Sequence, residues 1–432
     1  MVLELILGLS AIVVLLALRV PIYIVLMGVP SIFLLSHGES LAGLGQKALS
    51  ILEHPAMIAV PFFILAAEFM RGGGIARILF QGALAWVGWI RGGLAIAGVA
   101  ATSIFAAITG SSAATTLTMG SLLVPLMEEK GYKPAFAMGL TTAAGTLGIL
   151  IPPSLPMILI GLISETSIPR LFLAGLVPGL VQASLFALYI FFVADRVGGK
   201  AEPWVGPRKF VRHNALALPA YFIPIAVFVG IYGGVVSLTE AAVLSAVVAL
   251  VVLVFYRIIK LDGSAPLTQV PRLTTSAVDR TSMIILIIIG ATLVSHWLIL
   301  TKVPQDFAQA VVESNIKPWQ FLLIINAALL VLGMFLEGVA IILIVLPVVM
   351  SVVKAMGIEM EHFAVLMIIN IELALLSPPI GLNLFVMSNV TGRPVGQVLR
   401  GTIPFFAIML LLLMLVTFIP SLSTWLPNQF YG

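Results

Sequence analysis

The 432-residue chain contains no cysteine, which excludes disulfides, thiolate metal ligands and lipidated cysteines. Charge is nearly as scarce, at 9% of residues against 61% hydrophobic. A soluble domain of this length must present a large polar exterior, so the composition points to lipid as the solvent. Asp, Glu, Lys and Arg are missing altogether from Gly92 to Met127 and again from Pro134 to Ser164. About 20 apolar residues carry a helix across the hydrocarbon core, and in lipid every backbone polar group must be satisfied internally. Runs this long and continuous do not alternate as the strands of a membrane barrel do. The fold class they predict is an all-α polytopic membrane protein. No basic n-region or small-residue cleavage pattern accompanies the first apolar run, which holds Glu4, so that run reads as a retained first helix. His37, His54, His213, His296 and His362 show no ligand spacing and read as loop or interfacial residues without a metal site. With no HExxH and no intramembrane nucleophile–base pair, an embedded enzyme is not indicated.

What is present is a series of apolar segments, several too short to cross alone. Spans are expected at 171–194, 215–233, 237–257, 281–301 and 403–426, and shorter pieces at 92–109, 112–127, 319–335, 338–353 and 380–391. Segments 75–90 and 303–315 mix polar and apolar residues and read as interfacial arm helices, with Trp86 and Trp89 at headgroup depth. Loop 195–214 carries Arg196, Lys200, Arg208, Lys209 and Arg212 against Asp195 and Glu202. Loop 257–280 carries Arg257, Lys260, Arg272 and Arg280 against Asp262 and Asp279. The excess of basic residues places both loops on the cytoplasmic side. Glu240, the one charge within 215–256, reads as a structural interhelical partner or a functional group.

The most informative feature is an internal repeat. A shift of 226, the distance from Ile90 to Ile316, lays residues 90–178 over 316–404 without a gap. Gly131 then falls on Gly357, Pro152-Pro153 on Pro378-Pro379, Gly175 on Gly401 and Pro178 on Pro404. Identity is otherwise low, but Gly and Pro fix backbone geometry, so their coincidence argues for a shared fold. The expected division is repeat 1 over 1–213 and repeat 2 over 214–432. Each would hold scaffold helices, an arm helix, a re-entrant hairpin and a helix broken at Pro-Pro. Two inverted repeats with broken helices at their interface are the pattern of secondary transporters.

The break also suggests chemistry. Small polar residues from Thr109 to Thr116 interrupt an uncharged run, which suits a hairpin with its tip at Gly110–Ser112. Pro152 and Pro153 have no N–H to donate, and Ile151 is pushed out of the α region by the proline after it. Carbonyls near Gly148–Ile151 are thereby freed. With the Ser and Thr hydroxyls they form hard oxygen ligands suited to Na⁺, while the new helix N-terminus at Ser154 suits a solute carboxylate. In the second half Glu337 replaces Ser111 and Glu372 replaces Thr146. The halves are therefore chemically unequal, and an ionisable group inside a span is a functional-site candidate by default.

The strings ITGSSAATTLTMGSLLVPLMEEKGY (108–132), AAGTLGILIPPSLPMILIG (143–161), SLTEAAV (237–243) and LLSPPIGLNLF (375–385) resemble the large membrane subunit of tripartite ATP-independent periplasmic (TRAP) transporters. The resemblance implies a Na⁺-coupled importer in the bacterial inner membrane, working as an elevator whose mobile domain carries both hairpins. It implies three partners: a periplasmic solute-binding protein, a small four-helix membrane subunit and a small organic acid. Dicarboxylates, sialic acid, keto acids, sugar acids and ectoine-like compounds all belong to the implied class. The chain shows no extra N-terminal helices of the fused members, so a separate small subunit is expected. By the same resemblance, one Na⁺ site draws on Thr109, Ser111, Gly148, Ile151 and Pro153. A second draws on Phe335, Glu337, Ala374, Ser377 and Pro379. The solute lies between the hairpin tips near Ser111, Ser112, Thr116, Ser154 and Asn383. The alternative is a single-component anion:Na⁺ symporter or Na⁺/H⁺ antiporter of related architecture. An antiporter would place Asp or Lys at the first crossing, which here is uncharged.

Overall fold

The computed structural model of the chain describes residues 2–18, 20–259 and 266–431; Lys260 and Asp262 of the second basic loop lie outside them. Among the described residues the regular structure is entirely helical. The chain opens with α1 (Val2–Ala17) and α2 (Ile22–Ser36). His37 Nε2 lies 3.6 Å from Glu4 Oε2, so the start of α1 meets the end of α2. An unanticipated helix follows, α3 (Leu41–Leu52), started by Ser40, whose Oγ accepts from Gly43 N at 3.0 Å. It meets α4 (Ala56–Gly72) at a 61° bend. Pro55 sits at that bend and disfavours helix in the residue before it.

The rest of the first half runs through α5 (Ile75–Val87), α6 (Gly93–Thr109), α7 (Ser112–Glu129), α8 (Pro134–Ala144), the single turn α9 (Leu147–Leu150), α10 (Leu155–Ser164) and α11 (Ile168–Val197). The second half comprises α12 (Pro207–Tyr232), α13 (Leu238–Ile258), α14 (Val270–Leu300), α15 (Val303–Glu313), α16 (Pro318–Gly333), α17 (Gly338–Ala355), α18 (Met360–Ala374), α19 (Leu382–Thr391), α20 (Val395–Phe418) and α21 (Ser421–Tyr431). Among the described residues seven stretches are long and apolar enough to cross a membrane, with α8–α10 taken together as one of them, or eight if α3 and α4 count as one bent span.

Helix bounds carry the register seen in the sequence. α7 and α17 begin and end 226 residues apart, and α8 and α18 begin 226 apart. Gly131 and Gly357, in equivalent turns, are both left-handed, at φ 87° and 67°. The Pro152-Pro153 and Pro378-Pro379 bonds are both cis. The 213/214 division falls inside α12.

Burial sorts the helices into centre and rim. Every residue of α18 from Met360 to Ala374 is buried, and α8 is buried from Phe136 to Ala144. The longer helices expose large side chains, among them Phe192, Val251 and Ile403, as a lipid-facing rim requires. Small residues let the centre close tightly. A Cβ on Gly401 would lie 1.7 Å from the Ala135 carbonyl oxygen, and one on Gly139 would lie 2.0 Å from the Gly401 carbonyl carbon. Backbone thus meets backbone where α8 crosses α20. Further along α20, Asn370 Nδ2 donates to Asn326 Oδ1 at 2.8 Å and Asn326 Nδ2 to Thr417 Oγ1 at 2.9 Å, linking α18, α16 and α20.

Several expectations change. The segment 403–426 is not one span, since α20 ends at Phe418 and α21 begins at Ser421 after Pro420. His362 is not a loop residue. It is buried in α18, with Nδ1 2.8 Å from Ser423 Oγ. His296 lies within α14, partly buried and 3.2 Å from Glu39. Glu240 bonds within its own helix rather than between helices. It closes a capping box at the start of α13, accepting from Ser237 N at 2.7 Å, which satisfies an orphan donor of the first turn.

Candidate functional site

The site begins with two interrupted helix pairs. α6 ends and α7 starts across Gly110, which adopts φ 57°, a conformation that favours a residue without Cβ. Ser111 then caps α7, its Oγ accepting from Ala114 N at 3.4 Å. Thr109 Oγ1 lies 2.8 Å from Thr115 Oγ1, closing the hairpin tip on itself. The tip rests on the break between α9 and α10: a Cβ on Gly110 would come 3.2 Å from the Pro153 carbonyl oxygen. Ile151 is extended, at ψ 121°, and Ser154 forms the N-cap of α10.

The second hairpin turns between α16 and α17 at Met334–Glu337. Its glycines press on α18, where a Cβ on Gly333 would come 2.3 Å from Ala374 Cβ and one on Gly338 2.4 Å from Ile371 Cγ2. Glu337 is the N-cap residue of α17 and faces the same space as the first tip. That space is a cavity of about 280 Å³. One wall is built from the tips and breaks, including Thr109, Ser111, Ser112, Pro153, Ser154 and Glu337. The opposite wall belongs to α4 and α14, where Phe63, Ile64, Met283 and Ile284 supply apolar surface and Glu68 and Arg280 supply charge.

The structure gathers part of each anticipated group around this cavity. From the first ion set, Thr109, Ser111 and Pro153 line it, whereas Gly148 and Ile151 lie behind. Gly148 is packed so closely on α6 that a Cβ there would lie 3.1 Å from Ala106 O. From the second set only Glu337 lines it. Phe335 is exposed, Ala374 is buried, Ser377 donates to Leu373 O at 2.8 Å, and Pro379 lies in the exposed turn after the break. From the solute set, Ser111, Ser112 and Ser154 line the cavity, while Thr116 and Asn383 are fully buried beside it. Asn383 Nδ2 donates to Ser112 Oγ at 2.6 Å. Thr116 packs where α8 ends, its Oγ1 2.2 Å from where a Gly145 Cβ would be.

The site is rich in hydroxyl, carbonyl and carboxylate oxygens. Thr116 Oγ1, Ser154 Oγ and Asn383 Oδ1 are buried without a hydrogen-bond partner among the described residues, whereas the Glu372 carboxylate lies against Gln182 and Thr146. Native interiors rarely leave atoms such as the first three unpaired, so they fit a hard cation or a polar solute. Sequence reasoning missed Glu68, Arg71 and Arg280 as a group. The available signal was a Glu followed by an Arg three residues on, within an otherwise apolar span.

Comparison with known proteins agrees with the fold and extends it. The family profile "Tripartite ATP-independent periplasmic transporter, DctM component" matches residues 9–422. The C4-dicarboxylate TRAP transporter large permease protein DctM of Pseudomonas aeruginosa is 41% identical over 396 residues, covering 91% of each chain. The sialic acid TRAP transporter large permease protein SiaM of Vibrio cholerae is 32% identical over 388 residues, covering 90% of each. Among solved structures, the YdaH transporter of Alcanivorax borkumensis superposes with TM-score 0.64 at 13% identity, covering 90% of both chains; that likeness speaks to the fold alone. These relatives are permeases rather than enzymes. Matched along nearly its whole length, the chain belongs to the DctM family of large TRAP-transporter membrane subunits, multi-pass proteins of the inner membrane.

Proposed function

We propose that this chain catalyses Na⁺-coupled import of a small carboxylate-bearing solute, a C4-dicarboxylate, sialic acid or similar organic acid, handed over by a periplasmic solute-binding protein. A separate small four-helix membrane subunit would complete the transporter. Family membership and the solutes named for its relatives support the class of cargo. The observation that carries the reading is the convergence of Ser111, Ser154 and Glu337 on one cavity beside buried, unpartnered oxygens.

Sodium suits oxygen ligands without nitrogen or sulfur, because it is a hard cation held by carbonyls, hydroxyls and carboxylates. The first site would use Thr109, Ser111, Gly148, Ile151 and Pro153, and the second Phe335, Glu337, Ala374, Ser377 and Pro379. Both lie at helix interruptions, where carbonyls have lost their intrahelical donors. Ser112, Thr116, Ser154 and Asn383 would orient the solute, with the start of α10 offering its N–H groups to a carboxylate. From the shared 226-residue register we read two repeats, inverted in the membrane. Their hairpins and broken helices would travel together past the surrounding helices as an elevator.

The test is uptake into proteoliposomes holding the chain and its small subunit, with solute-loaded binding protein outside. Uptake is expected only with an inward Na⁺ gradient and only with the binding protein. Undiminished uptake without either one overturns the reading.

A further inference from the structure

The two walls of the cavity differ in the charge they bring. The hairpin wall carries hydroxyls, backbone and the carboxylate of Glu337, but no Lys or Arg. The sole cation among the described lining residues is Arg280, and it sits on the opposite wall, in α14. An anionic solute taken into an apolar cavity needs a counter-charge there, and a guanidinium is the side chain best shaped to supply one to a carboxylate.

Arg280 is not idle. Its Nη1 lies 3.1 Å from Glu68 Oε1, and a one-to-one pair would leave it neutralised. Glu68, however, also binds Arg71 through its other oxygen, Oε2. Two guanidiniums share one carboxylate, so the cluster keeps one positive charge in surplus. Position says which member offers it: Arg280 lines the cavity, whereas Arg71 does not. The Glu68 side chain is only 2% exposed, whereas that of Arg280 is 47% exposed. Glu68 therefore acts as a buried anchor that fixes one edge of the guanidinium. The remaining N–H groups of Arg280 have no other partner among the described residues. Phe63, Ile64, Met283 and Ile284 around it lower the local dielectric, which strengthens any charge–charge contact made inside.

We infer that Arg280 is a specificity-determining residue that binds the acid group of the solute, with Glu68 holding it in place and competing for it. This rests on the carboxylate-solute reading above. Because the cation belongs to α14 and not to the hairpins, the solute meets it only when hairpin wall and α4–α14 wall face each other as they do here. Arg280 thus contributes affinity in this arrangement and none in one that separates the walls, and only such a differential contact can bias an equilibrium between arrangements.

The experiment uses the purified complex of this chain with its small subunit in Na⁺-containing detergent buffer. Binding of succinate, pyruvate and N-acetylneuraminate is measured by calorimetry, beside Na⁺-driven uptake of each in proteoliposomes supplied with the solute-loaded binding protein. For whichever acid the wild type carries, Arg280→Gln is expected to bind about tenfold more weakly or worse. Arg280→Lys should fall between the two. Glu68→Gln should bind more tightly, because the competing carboxylate is gone. A merely structural ion pair predicts instead that both neutral variants lose binding together, and that outcome overturns the inference. Unchanged affinity in Arg280→Gln overturns it as well and leaves the carboxylate reading standing. A wild type that neither binds nor carries any of the three acids overturns both. Unfolding temperatures without ligand show that each variant compared is folded.

Discussion

The side-chain amide of Asn383 donates to Ser112 Oγ at 2.6 Å, joining the second broken helix to the tip of the first hairpin across 271 residues of sequence. Both groups are buried. One hydrogen bond therefore reports directly on whether the two halves are assembled around the cavity.

Asn383→Leu tests that bond. Removing one partner of a buried pair leaves the other unsatisfied, at about 1–3 kcal/mol. Uptake in proteoliposomes is expected to fall by about tenfold or more, since 1.4 kcal/mol is a factor of ten, while membrane expression persists. Wild-type uptake by Asn383→Leu would show that Ser112 is positioned by other means.

Sodium dependence separates the ion ligands from the solute ligands. Ser111→Ala and Glu337→Gln should each raise the Na⁺ concentration giving half-maximal uptake, by about fivefold or more if about 1 kcal/mol of ligation is lost. Initial uptake rates measured across a Na⁺ series at saturating loaded binding protein give the answer. An unchanged Na⁺ curve in both variants would remove these residues from the ion sites.

Packing between α8 and α20 predicts a stability effect remote from the cavity. Gly401→Ala drives a methyl group into the Ala135 carbonyl, and overpacking of this kind costs on the order of 1–3 kcal/mol. A clear drop in unfolding temperature in detergent is expected. Gly396→Ala, in the first turn of the same helix with nothing within 4 Å of its Cβ position, should show no drop and serves as the control.

The Asn370–Asn326–Thr417 chain should matter less. Interhelical hydrogen bonds between membrane helices average about 0.6 kcal/mol, so Asn370→Ala should lower the unfolding temperature by less than Gly401→Ala does. The same unfolding measurement ranks the two.

Much of this arrangement is legible in the sequence because membranes simplify the code. Long uncharged runs can only be helices, and Pro152-Pro153 with Pro378-Pro379 mark breaks that no neighbouring residue can disguise. Gly110 and Ser111 likewise announce a turn and a cap. Other features are less visible because they depend on partners distant in sequence. Glu68 reads as a stray charge near a helix end until Arg280 is seen beside it, more than 200 residues away. The amphipathic α3 is hidden by its mixed composition, and the break at Ile419-Pro420 is hidden because Leu422, Trp425 and Leu426 extend the apolar run past it. His362 shows no ligand spacing because its partner, Ser423, belongs to another helix. Register arithmetic finds equivalent positions; it does not find neighbours drawn from opposite walls.

The backbone contact of Gly139 with Gly401 has a genetic consequence. Its two faces are encoded on either side of the basic loop before α12, as are those of the Glu128–Arg393 ion pair at 2.7 Å. Residues on either side of that loop therefore complete each other's packing. A gene cut within 199–206 yields two polypeptides, each presenting a bare glycine groove in lipid. Neither is expected to resist proteolysis by itself, and co-expression should restore both to wild-type levels on an immunoblot.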